Sequence, residues 1–457
     1  MDTTSKPYPE YKDSGSRWLG AVPKHWAVHN LRTLIKKRAE RDRPDLPLLT
    51  VAREKGVFVR SLTDENENHN VIPEDLSNYK VARAGNLVIN KMKAWQGSMG
   101  IAPCDGIVSP AYFVFDFRIN NHAFGQALLR SKPYVAHFGQ ASDGVRVGQW
   151  DLSIPGMRQI PVLVPDDAEQ SAIVRFLDYE NARIEKVIRA KKKLIILLNE
   201  QKQAIIHRTV TRGLDPNVKL KSSGIPWLGD IPEHWDTPLN QCIFRENIRP
   251  HNGLPELQLS LSQRYGLIDT SKMQERSLQT SNFNNWKVTL PGDLVLNRFK
   301  AHLGVFFCAT LRGIVSFHYG VFAPRVKLNT KYFELLFHTA PYRAIYAGRS
   351  NGMTVGLQNL SNQNFYNVRA IVPPFMEQVE IVAFLEIATA DLNKSIAYTE
   401  REISLLREYR TRLEADVVTG KLDVRKAATK LPSLSDEVIE ESATEPLDET
   451  ETEEIEV

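Results

Sequence analysis

Three short polar stretches, each present twice, carry the side chains in this sequence best suited to hydrogen-bonding an external ligand. The first is Arg53-Glu54-Lys55 ahead of Gly56, matched by Gln263-Arg264-Tyr265 ahead of Gly266. The second sets Lys91, Lys93 and Trp95 against Arg298, Lys300 and His302. The third is SDGVRVGQ at 142–149 and SNGMTVGLQ at 350–358, where Arg146, Gln149 and Gln358 stand among glycines that let backbone N–H groups approach an anion. Arg and Lys suit phosphates and guanine edges, and Asn and Gln suit adenine edges, so these residue types point to reading a nucleic acid rather than breaking a bond. Plainer readings stay open: a drifted hairpin tip, a Lys-protected sheet edge, a turn before a strand.

Motifs that make or break bonds are missing. An adenine methyltransferase needs Asn or Asp before Pro-Pro-aromatic, and the nearest string is Val372-Pro373-Pro374-Phe375, whose valine offers no hydrogen bond. No Gly-x-Gly-x-x-Gly follows a strand-like run, and no Gly-x-x-x-x-Gly-Lys-Ser/Thr occurs. Cys104, Cys242 and Cys308 are odd in number and scattered, without zinc-ligand spacing, which fits a reducing cytoplasm.

Charge agrees with a polyanionic ligand. The net +4 hides an asymmetry: residues 433–457 hold eleven Asp and Glu and no Lys or Arg. The remaining chain has 58 basic residues against 43 acidic, a net charge of +15, an electrostatic footprint for nucleic acid. The acidic tail reads as a solvated, disordered segment. No apolar run approaches the roughly 18–20 residues of a membrane span, and the first residues, MDTTSKPYPEYKDSG, lack an apolar signal core. The expected location is the cytoplasm.

An internal repeat sets the elements that must position these stretches. Residues 14–26 read SGSRWLGAVPKHW and residues 223–235 read SGIPWLGDIPEHW, identical at eight of thirteen positions. At offsets of 207–210, GNLVINK (85–91) matches GDLVLNR (292–298), and GIVS at 106–109 matches GIVS at 313–316. Glu169-Gln170 likewise matches Glu377-Gln378, and Val210-Thr211 matches Val418-Thr419. Each copy opens with a region of short β-like runs, including Asn86–Asn90, Tyr112–Phe117, Leu294–Asn297 and Val368–Val372, punctuated by Gly, Pro and Asn. Each then continues as a long helix. Helix one starts after Pro165-Asp166-Asp167 and stops before Gly213; helix two starts after Pro373-Pro374 and stops at Gly420. Each spans about 44 residues, or about 66 Å.

Helix two carries a 3–4 stripe through Ile381, Leu385, Ala388, Leu392, Ile396, Thr399, Ile403, Leu406, Arg410, Leu413 and Val417; helix one carries Ile173, Leu177, Ile184, Ile188, Ile195, Leu198 and Ile205. Two such stripes predict that the helices pair, and antiparallel pairing lets helix two end on the Trp-Leu-Gly segment at 14–26 as helix one ends on that at 223–235. Trp18, Trp26, Trp227 and Trp235 are then the expected docking anchors. The fold class is α+β: two homologous, mainly-β recognition domains separated by two long antiparallel, coiled-coil-like helices in a pseudo-twofold cyclic arrangement. The expected domains are 1–165, 166–213 (helix), 214–373, 374–422 (helix) and 423–457 (acidic tail).

The WLGxxPxHW segments, the GNLVINK and GDLVLNR strands, the helix starts VPDDAEQSAIVRFLD and VPPFMEQVEIVAFLE, and the ending VVTGKLD at 417–423 occur in the order of one family. The chain resembles the specificity subunit of a type I restriction–modification system over residues 11–425. That resemblance implies a bipartite site on double-stranded DNA, each domain reading one half and the helices setting the unread spacer. It further implies two adenine-N6 modification subunits, joined by two ATP-dependent restriction subunits. S-adenosylmethionine, ATP and Mg belong on those partners, with no catalytic centre, cofactor or metal on this chain. Two other readings stay open: the recognition part of a restriction–modification enzyme with catalysis elsewhere, and a coiled-coil protein-binding scaffold.

Overall fold

Alternation along the strand Leu87–Asn90 explains why every residue of Leu-Val-Ile is buried. Leu87 and Ile89 join one apolar cluster and Val88 joins another, so the strand is covered on both faces. In the computed structural model, which describes residues 6–60, 75–146, 149–253, 256–263, 265–272, 283, 285–350 and 359–432, this strand is interior to a four-stranded antiparallel sheet. Its order is Ile35–Arg38, Tyr112–Phe117, Leu87–Asn90, Met99–Ile101. The later copy has the same order: Phe244–Glu246, Tyr319–Pro324, Leu294–Asn297, Phe306–Cys308.

One face of each sheet carries a two-stranded hairpin. In the first copy Leu49–Ala52 pairs with Gly56–Val59, and Leu49, Val51 and Val57 pack with Val88 and Val114. In the second, Leu259–Ser262 pairs with Gly266–Asp269, and Leu259 and Leu261 pack with Val295 and Val321. The other face packs on two helices, His122–Arg130 and Lys132–Gln140 in the first copy, Thr330–Phe337 and Ala340–Arg349 in the second. The segment 368–372 differs from expectation: it makes only isolated bridges, Leu239 with Arg369 and Asp236 with Val372, whereas its counterpart Pro161–Val164 forms a full strand against Ala27–Asn30.

The long helices run Asp167–Arg212 and Phe375–Val418. Asp166 caps the first, its carboxylate accepting from the Glu169 N–H at 2.8 Å. The chain divides into two units: one holds the described residues up to Ala190 and from Arg401 onward, the other Lys191–Glu400. Each long helix contributes to both. In the first unit Asn181 donates to Glu414 at 2.9 Å and Arg410 lies 3.2 Å from Glu185. An advance of four residues on one helix against a retreat of four on the other defines antiparallel packing. In the second unit Lys202 donates to Asn393 at 3.0 Å. The stripe is buried at Ile173, Ile188, Ile381, Ile403 and Val417, while Ile195, Leu198, Leu392 and Ile396 are half-buried.

Candidate nucleic-acid interface

The scaffold under each copy is built from the Trp-Leu-Gly segments. Trp26 and Trp235 are fully buried. The glycine that ends each long helix sits against one of them. A Cβ on Gly213 would lie 3.2 Å from the Trp235 ring, and one on Gly420 would press on Pro23 and lie 3.1 Å from Trp26. Both glycines have positive φ, +77° and +75°, the conformation that stops a helix and favours Gly. Trp18 meets Tyr134 edge-on at 5.1 Å, and Trp227 meets Tyr342 edge-on at 5.0 Å. The hydroxyls of those tyrosines accept from the N–H groups of Leu163 and Ile371.

A carboxylate closes each of these sites. Glu169, 2% exposed at its side chain, accepts from the Tyr8 hydroxyl at 2.7 Å and lies 2.7 Å from His25 Nε2, with Arg425 at 3.7 Å. Burial and the Glu169 carboxylate push the Tyr8 phenol well above its ordinary pKa, so it stays a donor. Glu377 repeats the histidine contact, with His234 Nε2 at 2.9 Å, but accepts its second hydrogen bond from Trp235 Nε1 at 2.9 Å; the matching Trp26 Nε1 is buried with no hydrogen-bond partner among the described residues. Gln170 and Gln378 follow, each donating to the carbonyl five residues before it and accepting from the N–H of Asn121 or Asn329. The recurrences of Glu-Gln and of His-Trp in the Trp-Leu-Gly segments were the sequence signals for this network, but nothing local links the two, which lie 144 and 143 positions apart in the two copies.

On that scaffold the polar stretches take three positions. Arg53, Glu54 and Lys55 form an exposed hairpin tip, with Arg53 Nε 3.4 Å from Glu54 and Lys55 over the Phe58 ring at 5.2 Å. Gln263 and Tyr265 are exposed on the equivalent tip, and Arg264 lies outside the described residues. In the first copy the second and third stretches come together. The Leu152 N–H donates to the Lys91 carbonyl, Lys91 pairs with Asp151 at 3.0 Å, and Trp95 packs on Trp150 at 5.0 Å. Lys93 is exposed beside them. Arg146 and Gln149 end the two strands of the hairpin Ser142–Arg146 and Gln149–Leu152, and their side chains lie outside the described residues.

The second copy places its matching cations differently. Arg298 turns inward onto Glu246 at 2.7 Å, and Lys287 lies 3.2 Å from the same carboxylate. That geometry leaves Arg298 a largely buried ion-pair partner rather than a presented side chain. Lys300 is half-buried, as is His302, whose Nδ1 is buried without a hydrogen-bond partner among the described residues. Gln358 and the acidic tail 433–457 lie outside the described residues. One basic surface was missed from the sequence: the edge strand Ile35–Arg38 exposes Lys36 and Lys37. The run Lys-Lys-Arg was its signal.

Among the described residues, no group of three or more His, Cys, Asp or Glu could hold a metal, and no helix is long and apolar enough to cross a membrane.

Residues 265–399 match the family model described as type I restriction modification DNA specificity domain. The fold is similar to a chain in a structure described as the structural basis of complex assembly and conformational transition of the type I R-M system. There the TM-score is 0.60 at 14% identity, covering 88% of this chain and 99% of that one. The HsdS subunit from Thermoanaerobacter tengcongensis matches at TM-score 0.42 and 16% identity, covering 88% of this chain and 97% of that chain. The S subunit from M. genitalium matches at 0.32 and 11%, covering 86% and 96%. The comparison with curated proteins returns no match. Residues 265–399 thus carry the likeness to a type I restriction–modification DNA specificity domain, and the chain as a whole shares its fold with a chain of a type I R-M system. The matched segment lies in the second copy, and the first copy repeats its strand order.

Proposed function

We propose that the two copies are separate readers, each recognising one half of a bipartite site on double-stranded DNA, and that the two long helices set the number of unread base pairs between the halves. The carrying observation is that two sheets of identical strand order present hairpin tips of different composition, Arg-Glu-Lys and Gln-Arg-Tyr. Different tips on one scaffold suit different half-sites. The assignment that accompanies this reading takes 1–165 and 214–373 as recognition domains, 166–213 and 374–422 as the helical spacer, and 423–457 as a tail.

Reaction chemistry belongs to partners, and this chain is the non-catalytic reader. Its partners are two adenine-N6 modification subunits, with two ATP-dependent restriction subunits added for cleavage. Apolar side chains left exposed on the long helices support a protein partner there: Ile196, Leu197, Phe384, Ile387 and Tyr398 all face solvent.

The test is a domain exchange. Replacing residues 27–165 with the first domain of another specificity subunit, and selecting bound duplexes from a randomised pool with the modification subunits present, is expected to change one half-site and keep the other. A change in both halves would contradict separate readers. Adding four residues to each helix is expected to lengthen the spacer alone; altered base preference would count against a helical ruler.

A further inference from the structure

The hairpin tip of the first copy is fastened from below by a residue that belongs to neither strand. Arg130 is the last residue of the helix His122–Arg130. Its Nη2 donates to two backbone carbonyls of the tip, that of Arg53 at 2.7 Å and that of Glu54 at 2.6 Å. The tip's own backbone cannot satisfy these oxygens, because the ladder closes at the Ala52–Gly56 pair. Gly56 has φ +73°, and a Cβ there would come within 3.1 Å of Arg130 Nη1. The turn thus needs glycine for its backbone and for the space the guanidinium occupies. With its backbone held, the tip turns the side chains of Arg53 and Glu54 outward, both more than two-thirds exposed.

Among the described residues, the second copy shows no such fastening. The position equivalent to Arg130, after the helix Thr330–Phe337, is His338. Its ring packs edge-on against Phe307 at 4.9 Å, and Phe307 is the group a Cβ on Gly266 would strike, at 2.9 Å. The Tyr265 N–H is taken up instead by Ser262 Oγ at 3.3 Å. Neighbouring supports are retained: Gln126 accepts from the Ile101 N–H at 2.9 Å, and Glu334 accepts from the Cys308 N–H at 2.8 Å. Exchange of Arg for His therefore falls on a support that touches the tip itself.

We propose that Arg130 is a specificity-positioning residue: its guanidinium locks the backbone of the 53–55 tip so that the exposed side chains meet base edges in one register. This rests on the two-reader function above. Arg130 itself contacts no DNA in this account. Its loss frees the tip to sample several orientations, which weakens discrimination between bases more than it weakens attachment to phosphates.

The experiment uses the full chain with its modification subunits, R130Q and R130K beside the unmodified protein, and a randomised pool of DNA duplexes from which bound sequences are selected and counted. R130Q is expected to lower base discrimination about tenfold at one half-site, leaving the other half-site and the salt dependence of binding unchanged. R130K, with donors on one nitrogen, is expected to recover part of that discrimination. The intact second half-site reports that the chain has folded. Unchanged preference at both half-sites would overturn the proposal. So would a uniform loss across all sequences with a salt slope reduced by about one, the signature of a phosphate contact. If the unmodified protein selects no two-part motif, the two-reader function fails rather than this assignment.

Discussion

The glutamate sites and the hairpin supports diverge to different degrees between the two copies. Glu169 and Glu377 each meet the histidine of their Trp-Leu-Gly segment, and Gln170 and Gln378, and Tyr134 and Tyr342, make corresponding contacts in both copies. Beneath the hairpins, a guanidinium on carbonyls in one copy stands where a histidine on an aromatic ring stands in the other. The difference teaches that the seat of each copy on its helix is shared between the copies while the support beneath the exposed hairpin is not. A duplicated module that must seat on the same helices and read different bases would diverge in this pattern.

Several substitutions sharpen that comparison. The largest effect is expected at the glutamates. Glu169→Ala leaves the buried Tyr8 hydroxyl and His25 without their acceptor and is expected to destabilise the first unit by about 3 kcal/mol. Glu377→Ala, where the carboxylate is 23% exposed, should cost about 1 kcal/mol. Hydrogen exchange resolved by unit measures both, and equal losses would remove the asymmetry.

A pH effect of similar origin is strongest in the second copy, although burial also lowers His137 of the first. Burial pulls His338 down to about 4, with Lys331 adding to the shift. Between pH 6.5 and pH 4 the unfolded chain binds a proton that the folded chain does not. Stability of the second unit should therefore fall as the pH drops through that window, by about 3 kcal/mol. The slope should shrink in His338→Phe, leaving the part that belongs to His207, as measured by urea titration at several pH values.

Smaller effects follow at the helix ends. Gly420→Ala should cost about 2 kcal/mol, since its Cβ would meet the Pro23 ring and Trp26 at a positive φ. Gly213→Ala, with its nearest neighbours at 3.2 Å, should cost about 1 kcal/mol. Smallest of all, Lys91→Ala should change stability by less than about 1 kcal/mol, because the Lys91–Asp151 pair is solvent-exposed. Thermal unfolding of each variant checks the ranking.

Much of the scaffold was legible in the residues themselves. Pro165-Asp166-Asp167 and Pro373-Pro374 announce helix starts, Gly213 and Gly420 their ends, and the 3–4 stripe the face that packs. Local signals of this kind need no knowledge of distant contacts. The strand expected at 368–372 makes only bridges, because the segment opposite it carries Pro238, which accepts from the Ala370 N–H but has no N–H of its own to complete the ladder. Arg298 looked like a presented cation but is drawn inward by Glu246, a residue 52 positions away that no local pattern links to it. Arg130 escaped notice for a related reason. Its partners are main-chain carbonyls, which leave no trace in residue type.

The central claim is that each copy reads its bases independently on a common anchoring scheme. It is tested most directly by replacing residues 27–165 with a second copy of 236–373 and selecting bound duplexes in the presence of the modification subunits. The account predicts a motif whose two halves carry the same base preference, that of the original second half-site. A motif retaining two different halves, or selection of one unbroken sequence, would contradict it.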